Sequence, residues 1–270
     1  MRISPFVNEW LNLLVRWFHV FTGILWIGTT YYFTWLDGRF SEAERQARAG
    51  EPGRVWMVHS GGFYTVEKQK SPELEGKTLH WFRWEAALTW LSGFFLLIQV
   101  YYMGGLLHDA DTTTSFRTSV LIGLGLLVVA WVCYDLLSQT PVGKNDYLFA
   151  AVCFVAVGAI AYGLTQVMSG RAVYMHVGAM FGTIMAANVW MRILPAQKQL
   201  IAATKEGRTP DQRLAARAKL RSKHNTFMVV PVVFTMLNFH FPVATEGYDW
   251  RILMILILVG WAAAKLIRRA

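Results

Sequence analysis

The sequence predicts an all-α, polytopic membrane helix bundle of about seven transmembrane helices. Three observations carry this expectation. Of 270 residues, 54% are hydrophobic and only 16% charged, whereas a soluble domain holds about 45–50% apolar and about 25% charged residues. Apolar stretches of roughly 20 residues, the length that crosses a hydrocarbon core, recur along the chain between polar loops. Twelve Trp, 10 Tyr and 17 Phe suit a chain with many membrane–water crossings, where aromatic rings concentrate. The same composition excludes a disordered chain and a disulfide scaffold.

The first span runs from about Trp10 to Leu36. It is too long for a cleavable signal peptide, and it continues into an aromatic, charged stretch without a small-residue cleavage site. The second to fifth spans are Trp84–Leu106, Arg117–Ser138, Asp146–Met168 and Ala172–Leu194. The sixth, His224–Phe241, is short and holds Pro231, which should kink it. Trp250–Ile267 is the seventh. Residues 1–270 form one integral membrane domain with two long loops, 37–83 and 195–223. The first contains His59-Ser60-Gly61-Gly62-Phe63-Tyr64, read as a flexible turn. The second contains Arg213–Leu220, a basic amphipathic helical segment expected to be a solvated or headgroup-lying connector.

With seven spans, 21 of the 26 Lys and Arg residues fall on one side or at its edge: the two long loops, the 3–4 turn and the C-terminus. The bias of basic residues towards the cytoplasm makes these segments cytoplasmic and puts the N-terminus outside. The net charge of +9 is therefore a topology signal, and no nucleic acid is expected as a partner; the partner is the lipid bilayer. Cys133 and Cys153 lie in apolar runs and read as packing residues; without a C-x-x-C the chain has neither a zinc ribbon nor a covalently attached haem.

Ionisable groups inside spans mark function. Counted from the cytoplasmic ends of their spans, His19, His176 and His240 all fall about 24–27 Å deep at 1.5 Å per residue, in one layer near the outer surface. Imidazoles at one height in apolar helices point to a buried haem b, whose iron takes axial His ligands. His19 and His176 are the candidate iron ligands, His240 the alternate. Gly23 and Gly28 beside His19, and Gly178 and Gly182 after His176, would let a flat ring or a neighbouring helix approach. The competing reading is that each histidine only hydrogen-bonds a neighbouring helix. His108, in a turn, is read that way. A second polar group collects near the cytoplasmic ends of the spans: His59, His80, Glu85, Asp135, Asn188, His224 and Asn225. Of these, Glu85 and Asp135 are carboxylates among aromatic residues, which implies a cavity or a partner.

These segments resemble a known family. Arg16-Trp17-Phe18-His19-Val20 with Gly23-Ile24-Leu25-Trp26-Ile27-Gly28, Val58–Tyr64, Leu79–Glu85, Thr89–Gly93, His176–Gly182 and Ala186–Trp190 are similar to the membrane-embedded region of the bacterial cytochrome-linked urate oxidases, or urate hydroxylases. His19-x6-Trp26-x-Gly28 also resembles the first helix of small haem-binding membrane proteins related to oxygen-independent protoporphyrinogen oxidases, where the matching His binds haem. The resemblance implies a multi-pass protein of the bacterial inner membrane. It would oxidise urate or a related purine at the cytoplasmic side, with water supplying the oxygen, and pass electrons through haem b to a periplasmic acceptor. Glu85, His80, His59, Asp135 and His224 become the candidate catalytic residues; His19, His176, His240, Trp26, Gly23 and Gly28 the candidate haem-binding residues. Two departures stand out. The family loop usually reads His-Gly-Gly-Gly where Ser60 stands here, and the family's eighth span and c-type cytochrome domain have no counterpart before Ala270. A separate c-type cytochrome is then the expected acceptor. The alternative is a non-enzymatic haem b electron-transfer subunit of a membrane redox complex.

Overall fold

The computed structural model describes residues 4–46, 53–69, 72–237 and 250–268. Helix α1 spans Pro5–Gln46 and is followed by a hairpin of β1 (Arg54–His59) and β2 (Gly62–Glu67). Then come α2 (Trp84–Leu97), α3 (Phe116–Leu137), α4 (Asp146–Thr165), α5 (Gly170–Asn188), α6 (Leu194–Lys205), α7 (Gln212–Leu237) and α8 (Trp250–Ile267). The protein is therefore all-helical apart from one hairpin. Among the described residues, five helices are long and apolar enough to cross a membrane: α1, α3, α4, the continuous α5–α6 and α8. Helix α2 stays apolar through a π-helical turn, Ile98–Tyr102, that extends it beyond its 14 α-helical residues.

The helix starts follow from side-chain caps. Ser115 accepts from the Thr118 N–H, Asn145 from Tyr147 and Leu148, and Ser169 from Ala172, each satisfying donors that a first helical turn leaves unpaired. Ser169 also donates to the Leu106 carbonyl at 2.8 Å, and its N–H to Leu107 at 2.8 Å, tying the end of the α2 loop to α5. His108, read from the sequence as only hydrogen-bonding a neighbouring helix, donates to Ser119 Oγ at 2.8 Å and fastens the same loop to α3.

The core lies around α5, against which α2, α3, α4 and α7 pack. Val173, Val177, Met180, Phe181 and Ile184 are its buried stripe. Helix α1 is an edge helix that packs chiefly on α2. Two glycines set close crossings: a Cβ at Gly178 would clash with Thr235 of α7, and one at Gly260 of α8 would lie 2.8 Å from Pro231 Cδ.

Two loop expectations change. The His59–Tyr64 turn is an ordered hairpin. Ser60 (φ 50°) and Gly61 (φ 77°) form the two-residue turn with positive φ that matches strand twist, and Val55 packs on Leu36 and Phe40 of α1. The 195–223 loop is largely two helix extensions: α6 continues α5 through the π turn Val189–Ile193, and the basic stretch Arg213–Leu220 is the first part of α7. These extensions pack on each other, so the basic face caps the bundle end.

Candidate functional site

Three histidines carry the polar interior, and the hydrogen bonds of each fix its tautomer. His19 lies 3.0 Å, through Nδ1, from the Thr89 carbonyl of α2 and 3.1 Å from Ser92 Oγ. A carbonyl only accepts, so Nδ1 carries the proton. Ser92 donates its own hydrogen to Leu88 O at 2.6 Å, so it too accepts from His19. Nε2 is then left as the lone-pair nitrogen. The ring lies so close to Gly93 that a Cβ there would sit 2.8 Å from Cε1.

His176 is wholly buried. Its Nδ1 donates to Ala172 O at 2.7 Å, and its Nε2 accepts from the Tyr102 hydroxyl at 3.0 Å. Gly123 of α3 makes room for this pair: a Cβ would fall 2.7 Å from Tyr102 Oη and 2.8 Å from His176 Nε2.

These contacts overturn the single outer layer. His19 meets α2 at Thr89–Gly93 and His176 meets its far end at Tyr101–Tyr102. At 1.5 Å per residue the two levels are about 16 Å apart. The depth count failed because α1 does not end at Leu36. Trp26, not Leu36, shares a cluster with Ala86 near the start of α2, and Leu36 and Phe40 pack on the hairpin beyond it. His240 lies outside the described residues.

The inner polar group splits into two connected parts. Asp135 of α3 binds Arg221 of α7 at 2.7 Å, Arg192 of the α5–α6 turn through Nε at 2.8 Å, and Gln139 at 2.9 Å. Arg221 is buried, its guanidinium 4.9 Å from the Tyr134 ring centroid. Beside this ion cluster runs a relay of neutral groups. Asn225 Nδ2 donates to the Met185 carbonyl at 3.0 Å, which turns its Oδ1 towards Asn188; Asn188 Nδ2 donates to that oxygen and to Tyr134 Oη, both at 3.0 Å. Tyr134 then gives its proton to Nδ1 of His224 at 2.7 Å, which leaves the proton of neutral His224 on Nε2. The His224 ring stacks on Phe149 at 4.8 Å and 12°.

Glu85 stands in the first turn of α2; its Oε2 is buried and has no hydrogen-bond partner among the described residues. His80 is exposed and packs edge-on against Phe82 at 4.5 Å, and His59 is exposed at the hairpin turn. No hydrogen bond joins His59, His80 and Glu85. The candidate catalytic residues thus fall into separate places: Asp135 and His224 on the α3–α5–α7 side, Glu85 at the α2 start, His59 and His80 at the surface. Gly23 faces Thr89 at ordinary contact distance, while a Cβ at Gly28 would meet nothing within 4 Å. Trp26 packs against Ala86.

The family model for the N-terminal region of urate oxidase matches residues 5–269, nearly the whole described fold. The chain belongs to the urate oxidase N-terminal family. No curated protein and no solved structure matches it.

For a family member expected to hold haem, the residues answer differently. His19 fits an axial ligand: a histidine that binds metal through one nitrogen donates the other N–H to a carbonyl, and Thr89 provides that carbonyl. In this arrangement His176 does not fit a shared iron, because its Nε2 is taken by Tyr102 and its level differs. Among the described residues no three His, Cys, Asp or Glu side chains cluster as a metal site. Sequence reading missed Tyr102, Tyr134, Arg192 and Arg221. The Tyr134-Asp135 pair and the Arg221-x-x-His224-Asn225 spacing, which puts three polar groups on one helix face, were the available signals.

Proposed function

We propose that the protein is the membrane-embedded part of a urate-oxidising system. It crosses the bacterial inner membrane seven times, with the N-terminus outside and the long loops and C-terminus in the cytoplasm. Helices α2 and α7 complete the seven, and the distribution of basic residues supports the orientation. Urate, or a related purine, loses two electrons and two protons at the cytoplasmic side as water adds its oxygen. Nε2 of His19 would hold a haem b, which when bound would supply one-electron chemistry between the purine and a separate periplasmic c-type cytochrome. Thr89 and Ser92 hold the His19 ring in the ligating tautomer, and Gly93 admits its edge. His176 takes no part, since its Nε2 is held by Tyr102 and it meets α2 at another level; His240 is the alternate second ligand.

At the cytoplasmic side, Glu85 is the carboxylate available to take a proton, since its Oε2 lies buried without a donor. Asp135 serves instead as an ionic anchor, both of its oxygens being engaged by arginines. The family match over residues 5–269 carries the purine assignment. An absorption spectrum of the purified protein, taken before and after adding urate under anaerobic conditions, tests both parts. A haem b spectrum that urate reduces supports the enzyme; one that urate leaves oxidised supports a non-enzymatic electron-transfer subunit; no haem removes the electron path.

A further inference from the structure

A half-open pocket of about 520 Å³ lies away from His19, between α3, α4, α5, α7 and α8. Its walls are carbon: Phe149 and Cys153 of α4, Phe181 and Ile184 of α5, and Trp261 of α8 are among them. Polar groups gather at one end, where His224, Lys223, Lys265 and Asp146 line it. Of the two cations there, Lys223 is paired and Lys265 is exposed. Lys223 pairs with Asp146 at 2.5 Å, and Lys265 lies 6.0 Å over the Tyr147 ring. His224 is different. Its Nδ1 is filled by the Tyr134 hydroxyl and its face by Phe149, so the edge left to the cavity is Cε1–Nε2, with the proton on Nε2.

A site with carbon walls and one neutral donor selects its occupant. A purine, ringed with N–H and C=O groups, would strip most of them of partners there, at a cost of a kind that buried polar groups avoid. A phospholipid headgroup would engage exposed Lys265 and leave the His224 donor unused. We infer that this cavity binds an isoprenoid quinone, one ring carbonyl accepting from His224 Nε2–H and the tail lying along α3 and α4. The volume lies within the usual range for cofactor sites, roughly 300–1,000 Å³. The site is separate from the α1–α2 region and holds whether or not urate is the substrate.

The test uses the detergent-solubilised full chain without urate. Decylubiquinone is titrated while tryptophan fluorescence is followed, with Trp261 in the cavity wall as the near reporter. Cys153→Phe fills the cavity and His224→Leu removes the donor; Val155→Phe, on the outward face of α4, is the control. Saturable quenching is expected in wild type and Val155→Phe. His224→Leu should weaken binding about threefold to tenfold, the worth of one neutral hydrogen bond, and Cys153→Phe by more. Equal binding in all four proteins overturns the inference, as does a site that dioleoylphosphatidylglycerol vesicles compete for and that ignores His224→Leu. If His224→Leu fails to fold, Cys153→Phe against Val155→Phe decides alone.

Discussion

Tyr134 donates its hydroxyl proton to Nδ1 of His224 across 2.7 Å. The direction of that bond is set four groups away, at the Met185 carbonyl, which can only accept and so orients Asn225, Asn188 and Tyr134 in turn. His19 is the mirror case: a carbonyl touches its Nδ1 directly, and the proton sits there instead. Two histidines of one bundle are thereby prepared for opposite chemistry, one as a donor at Nε2 and one as a lone-pair ligand at Nε2.

Tyr134→Phe should cost about 1–3 kcal/mol, because one buried donor of Asn188 loses its acceptor. Denaturant titration of the purified protein measures it. An unchanged midpoint would mean that Asn188 finds another acceptor and that the relay does not fix the His224 tautomer.

Haem content separates the histidines. His19→Ala should abolish the haem b spectrum, and Gly93→Ala should diminish it, since the new Cβ would lie 2.8 Å from the His19 ring. His108→Ala should leave it intact. His176→Ala should keep the spectrum and lower stability by about 1–3 kcal/mol through the stranded Tyr102 hydroxyl. A spectrum lost with His176 but retained without His19 would reverse the ligand assignment.

Glu85→Gln should slow urate-dependent haem reduction at least tenfold while the oxidised spectrum stays unchanged. Stopped-flow absorbance provides the rate. Wild-type speed in the variant would make Glu85 a structural residue.

Asp135→Leu leaves Arg221 buried without its counter-charge and should cost about 3–5 kcal/mol. Arg192→Ala should cost less, because the Arg192 side chain is 31% exposed. Thermal unfolding of the two variants side by side gives the order, and equal losses would contradict it.

Reporter fusions at Ala270 and in the turn near Lys205 should both behave as cytoplasmic. Periplasmic activity at either would invert the orientation drawn from the basic residues.

Hydropathy and length were enough to locate the five helices that are long and apolar enough to cross a membrane, because such a helix announces itself by a run of apolar residues that no neighbour alters. They misjudged where α1 leaves the bundle. Nothing local distinguishes Trp26 from Leu36; the boundary depends on α2 and the hairpin packing against different stretches of one unbroken helix. The same limit applied to depth, so His19 and His176 were placed level. Asp135 and His224 were legible as polar groups inside spans, but their partners were not. Arg192 and Arg221 read as loop charges until the π turn and the long α7 carried them back to α3. His59 and Glu85 share a side of the sequence map, yet the hairpin holds His59 outward.

Among the described residues, helix α7 is absent from the five helices long and apolar enough to cross a membrane. It carries Arg221, Lys223, His224 and Asn225 around its middle and Pro231 in its last third. Such a segment partitions poorly into lipid by itself. What makes it acceptable is already in place when it emerges from the ribosome: the carboxylate of Asp135 on α3 and the carbonyl of Met185 on α5. On the proposed seven-span topology, the order of synthesis doubles as an order of insertion, in which earlier helices form the polar socket for a later one. A defect in α3 would then show first as an α7 left outside the bilayer.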